Sequence, residues 1–314
     1  MNLILRWLGK QARWALPAGV FVGIWIPGLA QAARPLLTLA VIGTLTAALL
    51  RMDMSKMTAW LQRPGWPLFL TLWVTLISPL GMWGLTQALD LDPEWRLLLV
   101  LQAAGPPIGS AAAFAMFLGL EASLCMVSTV CATLILPLTL TAIVAVLLPL
   151  SGIEVELLAF FTRVLTLVAL PFVIAALIRA CVGVQRLQQA DAELAGLNVV
   201  MLVIFALAVM DGVQDLLLQN TSVALSLLLM GFVSVIFWHA LGWWLGRKAS
   251  VDTAYSAALL SGNRNMGLLL VVTAGTAGDL FAMYVAIAQI PMYFAPLLLS
   301  PWLKRARSQI TPHA

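Results

Sequence analysis

Long uninterrupted runs of apolar residues dominate the chain, without the spacing of a surface helix or strand. The hydrocarbon core of a bilayer is about 30 Å thick and requires roughly 20 apolar residues per helix. Runs of this length predict an all-α membrane protein with ten transmembrane helices. The predicted spans cover residues 14–31, 34–50, 66–88, 96–118, 122–149, 155–181, 194–214, 221–246, 252–275 and 278–302.

A short polar segment separates the second and third predicted spans. Residues 51–63 combine charged residues with methionines, a tryptophan and a leucine. This mixture predicts an amphipathic segment at the membrane surface.

The first predicted span has a second interpretation, as a cleaved signal peptide. Residues 1–13 are basic, an apolar run follows, and Ala30-Gln31-Ala32 resembles a signal-peptidase site. The next apolar run begins almost immediately, at Pro35, and cleavage would leave nine helices. We therefore expect the first span to be retained.

The composition supports a membrane protein and argues against nucleic-acid binding. Of the 314 residues, 62% are apolar and 10% are charged, whereas a soluble domain is about half apolar and a quarter charged. The net charge of +4 is expected to reflect an asymmetry between loops. With His239 and His313 as the two histidines, and three cysteines without CxxC spacing, the sequence suggests neither a zinc site nor a disulfide.

Basic residues are distributed unequally between the two sides that the ten spans define. The side of the N-terminus carries Arg6, Lys10, Arg13, Arg51, Lys56, Arg63, Arg179, Arg186, Arg247, Lys248, Lys304, Arg305 and Arg307. The opposite side carries Arg34, Arg96 and Arg163. Because basic loops stay in the cytoplasm, we expect an inner-membrane protein with both termini cytoplasmic.

Two of the spans are interrupted near their middles. The fourth contains residues 105–110, GPPIGS, in which two consecutive prolines remove two backbone donors and clash with the preceding turn. The ninth contains residues 261–267, SGNRNMG, which are mostly glycine, serine and asparagine. We expect both helices to be unwound here and the two interruptions to approach each other.

The fourth and ninth spans are equivalent if the chain consists of two five-helix halves, residues 1–150 and 151–314. Because five is odd, the second half must be inverted relative to the first. Paired interruptions in inverted halves are typical of a transporter site, where half-helix ends face the substrate and ions. The alternative is a pair of unrelated kinks that only help the helices to pack.

Arg264 lies within the second interruption and is costly at membrane depth. Two interpretations remain open. The guanidinium could hold an anionic substrate through its planar fork, or it could rest permanently against carbonyl groups of the broken helices as a structural cation.

Other polar residues share the predicted spans with these interruptions. Thr129 and Thr133 have an i, i+4 spacing that places both hydroxyls on one helix face, although each could instead bond its own preceding turn. The candidate substrate- or ion-binding residues are Arg264, Asn265, Asn263, Ser261, Ser110, Gly109, Thr129 and Thr133.

Several motifs resemble the bile acid:sodium symporter family and its relatives. The similar stretches are Arg63-Pro64, Ser78-Pro79-Leu80, residues 105–113, residues 132–138 and residues 262–268. The resemblance implies a ten-helix fold with core and panel sub-bundles drawn from both halves, in which helices four and nine are broken and cross in the core.

The sequence departs from the family at the implied sodium sites. The family's sodium-binding glutamate corresponds to Leu260, the glutamine of its ninth-helix motif to Arg264, an asparagine to Ala111, and a third-helix glutamine to Val74. Ser110, Thr129, Thr133 and Asn265 remain at matching positions. The resemblance thus implies a vestigial sodium site near Ser110, Thr133 and Asn265. We expect Arg264 to lie in a polar cavity between the two interruptions and to take over the charge that sodium supplies in the symporters.

These features predict a secondary active transporter of a small, anionic organic substrate. The coupling ion is left open between Na⁺ and H⁺, with uncoupled transport a further alternative, and no cofactor is expected. An intramembrane enzyme would need a paired acid, histidine or nucleophile at membrane depth, and no matched partners are evident. A carrier-derived membrane sensor without transport is the remaining alternative. The sequence does not identify the substrate or the oligomeric state.

Overall fold

The computed structural model describes residues 3–52, 64–120, 122–147 and 155–310. Within these residues the chain is helical, and its β-type pairing is limited to one isolated bridge. The predicted all-α class is therefore confirmed for the described part of the chain. The predicted amphipathic segment at residues 51–63 lies almost entirely outside it.

The helices have the following bounds in chain order. They are α1 (Leu3–Lys10), α2 (Ala12–Trp25), α3 (Pro27–Ala33), α4 (Leu37–Leu50), α5 (Gly65–Leu72), α6 (Ser78–Ala88), α7 (Pro93–Ala104), α8 (Ala111–Phe117), α9 (Ala122–Leu147), α10 (Leu157–Val182), α11 (Val184–Gln189), α12 (Asp191–Ala208), α13 (Val213–Gln219), α14 (Thr221–Gly246), α15 (Val251–Gly262), α16 (Met266–Val272) and α17 (Gly278–Ile310). A 3₁₀ turn, Arg34–Leu36, joins α3 to α4, and a π-helical turn, Trp73–Ile77, joins α5 to α6.

Seven helical segments in the described part of the chain are long and apolar enough to cross a membrane. They are Pro27–Leu50, Gly65–Ala88, Ala122–Leu147, Leu157–Val182, Asp191–Gln219, Thr221–Gly246 and Gly278–Leu303. Large apolar side chains face outward from several of them, for example Leu138, Leu158 and Leu229, each at least 65% exposed. Such surfaces require lipid rather than water as solvent.

The seven segments differ from the ten predicted spans for identifiable reasons. The predicted fourth and ninth spans are divided by their interruptions into helices too short to qualify. The first predicted span also differs, because α2 ends at Trp25 and the chain is continuously helical from Pro27 to Leu50. Pro27 occupies the first turn of α3, where a missing N–H is tolerated, and Pro35 is accommodated in the 3₁₀ turn.

The chain divides into two compact units, each drawn from both halves of the sequence. Unit 1 comprises Met1–Asp53, Leu148–Leu229 and Gly267–Ile290. In it, α12 packs against α1, α2 and α4. The first of these contacts is close, since a side chain at Gly196 would collide with the backbone of Leu5.

Unit 2 comprises Met54–Leu147, Met230–Met266 and Pro291–Ala314. A buried apolar cluster joins its helices, with contributions from Leu70, Ile108, Leu124 and Leu260. The helix α9 packs against α5, α8 and α15. Both interruptions, residues 105–110 and 263–265, lie in this unit, which therefore contains the candidate site.

Candidate functional site

Both predicted interruptions are present, and the second is shorter than expected. The first helix stops at Ala104 and resumes at Ala111, as the two prolines require. The second stops at Gly262 and resumes at Met266. Residues 261–262 and 266–267 were expected to be unwound and are helical instead, because the three polar residues 263–265 suffice to break the helix. We call residues 105–110 and 263–265 together the crossing.

The two unwound segments meet and complete each other's backbone hydrogen bonds. The N–H of Ile108 donates to the carbonyl of Asn263 (2.8 Å), and the N–H of Asn265 donates to the carbonyl of Pro106 (2.7 Å). Between these bonds, Pro107 and Arg264 form an antiparallel bridge. Unwound backbone survives at membrane depth where protein satisfies its polar groups, and here each segment satisfies the other. The expected approach of the two interruptions is confirmed.

The guanidinium of Arg264 donates hydrogen bonds to oxygen atoms of three separate segments. Its Nε donates to the carbonyl of Ser261 (2.7 Å), and its Nη1 donates to the carbonyls of Val74 (2.8 Å) and Gly105 (3.0 Å). Its Nη2 donates to the hydroxyl of Ser78 (3.0 Å). These four bonds use four of the five N–H groups of a guanidinium. The side chain is completely buried, at 0% exposure.

Each of the three carbonyls is available to Arg264 because its own helix is irregular and the usual helical N–H donor is missing. In a regular helix Val74 would accept from the N–H of Ser78, but that N–H donates to Trp73 across the π-helical turn. The carbonyl of Gly105 lies at the end of α7. The carbonyl of Ser261 lies in the last turn of α15, where the N–H of Asn265 donates to Pro106 instead.

The positive charge of Arg264 has no carboxylate partner among the described residues. Ion pairs among the described residues, such as Arg6 with Glu193, Arg34 with Asp211 and Arg51 with Asp191, do not include it. The ring of Trp238 lies 5.4 Å from the guanidinium carbon, a distance at which the face of an indole stabilises a cation. Backbone dipoles and an aromatic ring therefore stabilise the charge without neutralising it. The unit keeps one net positive charge at this place.

His239 and Asn263 form a second buried polar pair beside Arg264. The imidazole Nδ1 lies 2.7 Å from the carbonyl of Val235, so Nδ1 must carry the proton. The Nε2 atom of neutral His239 is then an acceptor, and it accepts a hydrogen bond from Nδ2 of Asn263 (3.4 Å). The imidazole also packs on Gly262, where a Cβ atom would collide with the ring.

Among the buried oxygen atoms of this unit that have no hydrogen-bond partner in the described part of the chain, three belong to expected site residues. They are Oδ1 of Asn263, Oγ of Ser110 and Oγ1 of Thr129. Buried polar atoms are normally paired, so unpaired ones are candidates for ligand contact. Asn263 is fully buried, and its oxygen is the amide atom that remains after Nδ2 has bonded to His239.

The other expected site residues have more ordinary surroundings. The hydroxyl of Ser261 accepts from Nε1 of Trp73 (2.9 Å). The hydroxyl of Thr133 donates to the carbonyl of Thr129 (2.7 Å), which is the local bond that the sequence left open as an alternative. Gly109 and Asn265 lie within the crossing, and Asn265 is 9% exposed.

Four residues that surround Arg264 and Asn263 were not among the expected site residues, although the family resemblance had pointed to the position of Val74. Trp238 and His239 lie in an apolar run of α14, and no local pattern marks them. Val74 and Ser78 belong to the π-helical turn. The Ser78-Pro79 pair could have indicated that turn, because a proline inside a helix disturbs the hydrogen bonds of the preceding residues.

Comparison with known proteins identifies the family. The sequence profile of the sodium bile acid symporter family matches residues 38–220, more than half of the chain. A comparison with curated protein sequences found no match. The matched region includes the first interruption and ends before the second. The matched family consists of transporters. This agrees with the seven membrane-capable helices, which indicate a multi-pass membrane protein. The chain therefore belongs to the sodium bile acid symporter family.

Proposed function

We propose that the protein is a secondary active transporter that carries a small organic anion across the inner membrane, with the crossing as its substrate site. The observation that carries the proposal is the pairing of two interrupted helices through their backbones at Ile108–Asn263 and Pro106–Asn265. Transporters commonly place their substrate where discontinuous helices meet near mid-membrane. Membership of a transporter family supports the same interpretation.

Electrostatics favour an anionic substrate. Arg264 contributes a full positive charge in a buried place, and no carboxylate of the described residues neutralises it. At low local dielectric such a charge attracts an anion more strongly than it would in water. Because its hydrogen bonds go to the protein, Arg264 acts through its field, while direct contacts fall to Ser110, Asn263 and Asn265.

We further propose that the chain contains ten transmembrane helices arranged as two inverted halves, residues 1–150 and 151–314. The seven long segments, the two interrupted helices and the short apolar helix Trp14–Trp25 together supply this number. The interruptions then occupy equivalent positions in the two halves. Core and panel sub-bundles would be drawn from both halves, as they are in the family.

Uptake into proteoliposomes tests the proposed function. The purified full-length protein is reconstituted and given radiolabelled taurocholate, a bile acid anion, with an inward Na⁺ gradient or with choline on both sides. We expect uptake above that of protein-free liposomes, and we expect it to be released by a detergent that opens the vesicles. Uptake equal to that of protein-free liposomes in both media would contradict transport of this class of anion. Chemical conversion of the probe would instead indicate an enzyme.

A further inference from the structure

The oxygen atoms around Arg264 form an arrangement that suits a cation. Gly105 caps the C-terminal end of α7, and Ser261 lies in the last turn of α15. Helix C-termini carry partial negative charge, so two of them converge on the guanidinium. The carbonyl that the π-helical turn exposes at Val74 adds a third dipole. Unwound carbonyls and half-helix C-termini are the groups with which transporters bind Na⁺.

The residues present do not fit a sodium ion at this place. The three carbonyls already accept hydrogen bonds of 2.7–3.0 Å from Arg264. Leu260, one turn before Arg264, supplies no side-chain oxygen. The fixed positive charge of the guanidinium would also repel a sodium ion placed beside it.

We propose that the Arg264 guanidinium is a built-in cation that takes the place of a bound sodium ion and makes the crossing independent of sodium. It holds the π-helical turn and both interruptions together permanently, as an exchangeable ion would do only when bound. The crossing therefore keeps one geometry whatever the ionic conditions. Sodium ions have no binding site there, so a sodium gradient does not act on the crossing.

This inference deepens the proposed function and rests on it only for the role of the crossing in transport. Stability and sodium binding can be measured without any substrate. The inference can therefore fail while anion transport is observed, and it can hold when a chosen anion is not transported.

Thermal unfolding of the purified full-length protein, followed by tryptophan fluorescence, provides the test. The unfolding midpoint of the wild-type protein should be the same in NaCl and in choline chloride at equal ionic strength. Arg264→Ala should lower the midpoint by several degrees, because it leaves three buried carbonyls without donors. Low millimolar methylguanidinium should restore part of that loss by entering the vacated place.

Arg163→Ala is the matched control. Arg163 also donates to a backbone carbonyl, that of Ala274 (2.7 Å), but through a single bond at an exposed position. Its substitution should change the midpoint little, and methylguanidinium should not stabilise it. Arg264→Lys provides a second variant if Arg264→Ala does not fold. It keeps the charge but loses the planar fork, so it should be less stable than wild type and still indifferent to sodium.

Two results would overturn the inference. One is a saturable stabilisation of the wild-type protein by Na⁺ over choline, since a sodium site would then exist beside the guanidinium. The other is an Arg264→Lys midpoint equal to that of wild type, because the three-segment arrangement would then not matter.

Discussion

At the scale of single residues, the polar groups around Arg264 determine one another's hydrogen-bonding roles and orientations. The proton on Nδ1 of His239 sets Nε2 as an acceptor, and that acceptor sets which way the amide of Asn263 faces. The ring lies so close to Gly262 that no larger residue fits there. Glycine is therefore required at this position for space, in addition to its tendency to end a helix.

The contact between Gly262 and His239 predicts a non-additive pair of substitutions. Gly262→Ala should lower the unfolding midpoint, because its Cβ collides with the imidazole. In a His239→Ala background the same substitution should cost less, with a coupling of about 1–3 kcal/mol. Gly84→Ala, where a Cβ would meet open space, should have little effect in either background. Equal costs of Gly262→Ala in both backgrounds would show that the ring is not the obstacle.

The hydrogen bonds of Ser78 give a second prediction. Its hydroxyl accepts from Arg264 and donates to the carbonyl of Trp73 (2.6 Å). Ser78→Ala should therefore destabilise the protein by about 1–3 kcal/mol, since it leaves a buried guanidinium N–H unpaired. Thr86→Val is the control, because the hydroxyl of Thr86 bonds only to its own preceding turn. If both variants unfold at the same temperature, Ser78 does not support the guanidinium.

The sequence identified Arg264 as exceptional but could not decide what it touches. A guanidinium at membrane depth must be paired, and the sequence allowed either a substrate or backbone carbonyls. The partners Val74 and Gly105 are about 190 and 160 residues away, and no local pattern links such distant backbone atoms. The structure places the guanidinium against carbonyls, which is the second of the two arrangements.

At the scale of helices, the interruptions were predictable because their cause is local. Consecutive prolines cannot continue a helix, and a cluster of glycine and asparagine does so poorly. The end of the first helix was harder to predict, because proline at Pro27 begins a helix and proline at Pro35 is tolerated within one. The same residue type thus has different effects that depend on its position in the turn.

At the scale of the whole molecule, the hydropathy pattern established the class, and the loop charges lead to an orientation. The structure gives two units, each assembled from both halves of the chain, and length and hydropathy alone carry no information about which helices associate. The membrane topology stays a prediction that rests on thirteen basic residues on one side against three on the other.

Accessibility of single cysteines tests the orientation. In a variant with Cys125, Cys131 and Cys181 replaced, a membrane-impermeant maleimide should label Asp279→Cys in intact cells. Arg186→Cys should be labelled only after the membrane is permeabilised. Both positions are exposed in the structure, so each can react where reagent is present. The reverse pattern, or labelling of both positions in intact cells, would contradict the predicted topology.

The most direct test of the crossing as the substrate site compares two buried asparagines in the taurocholate uptake assay. Asn263 lies in the crossing and Asn198 lies in α12 of unit 1, and the side-chain oxygen of each has no partner in the described part of the chain. Asn263→Ala should reduce uptake by about tenfold, equivalent to the loss of about 1.4 kcal/mol of interaction, whereas Asn198→Ala should retain most of it at equal amounts of folded protein. Equal uptake by the two variants, or a greater loss in Asn198→Ala, would contradict a transport site at the crossing.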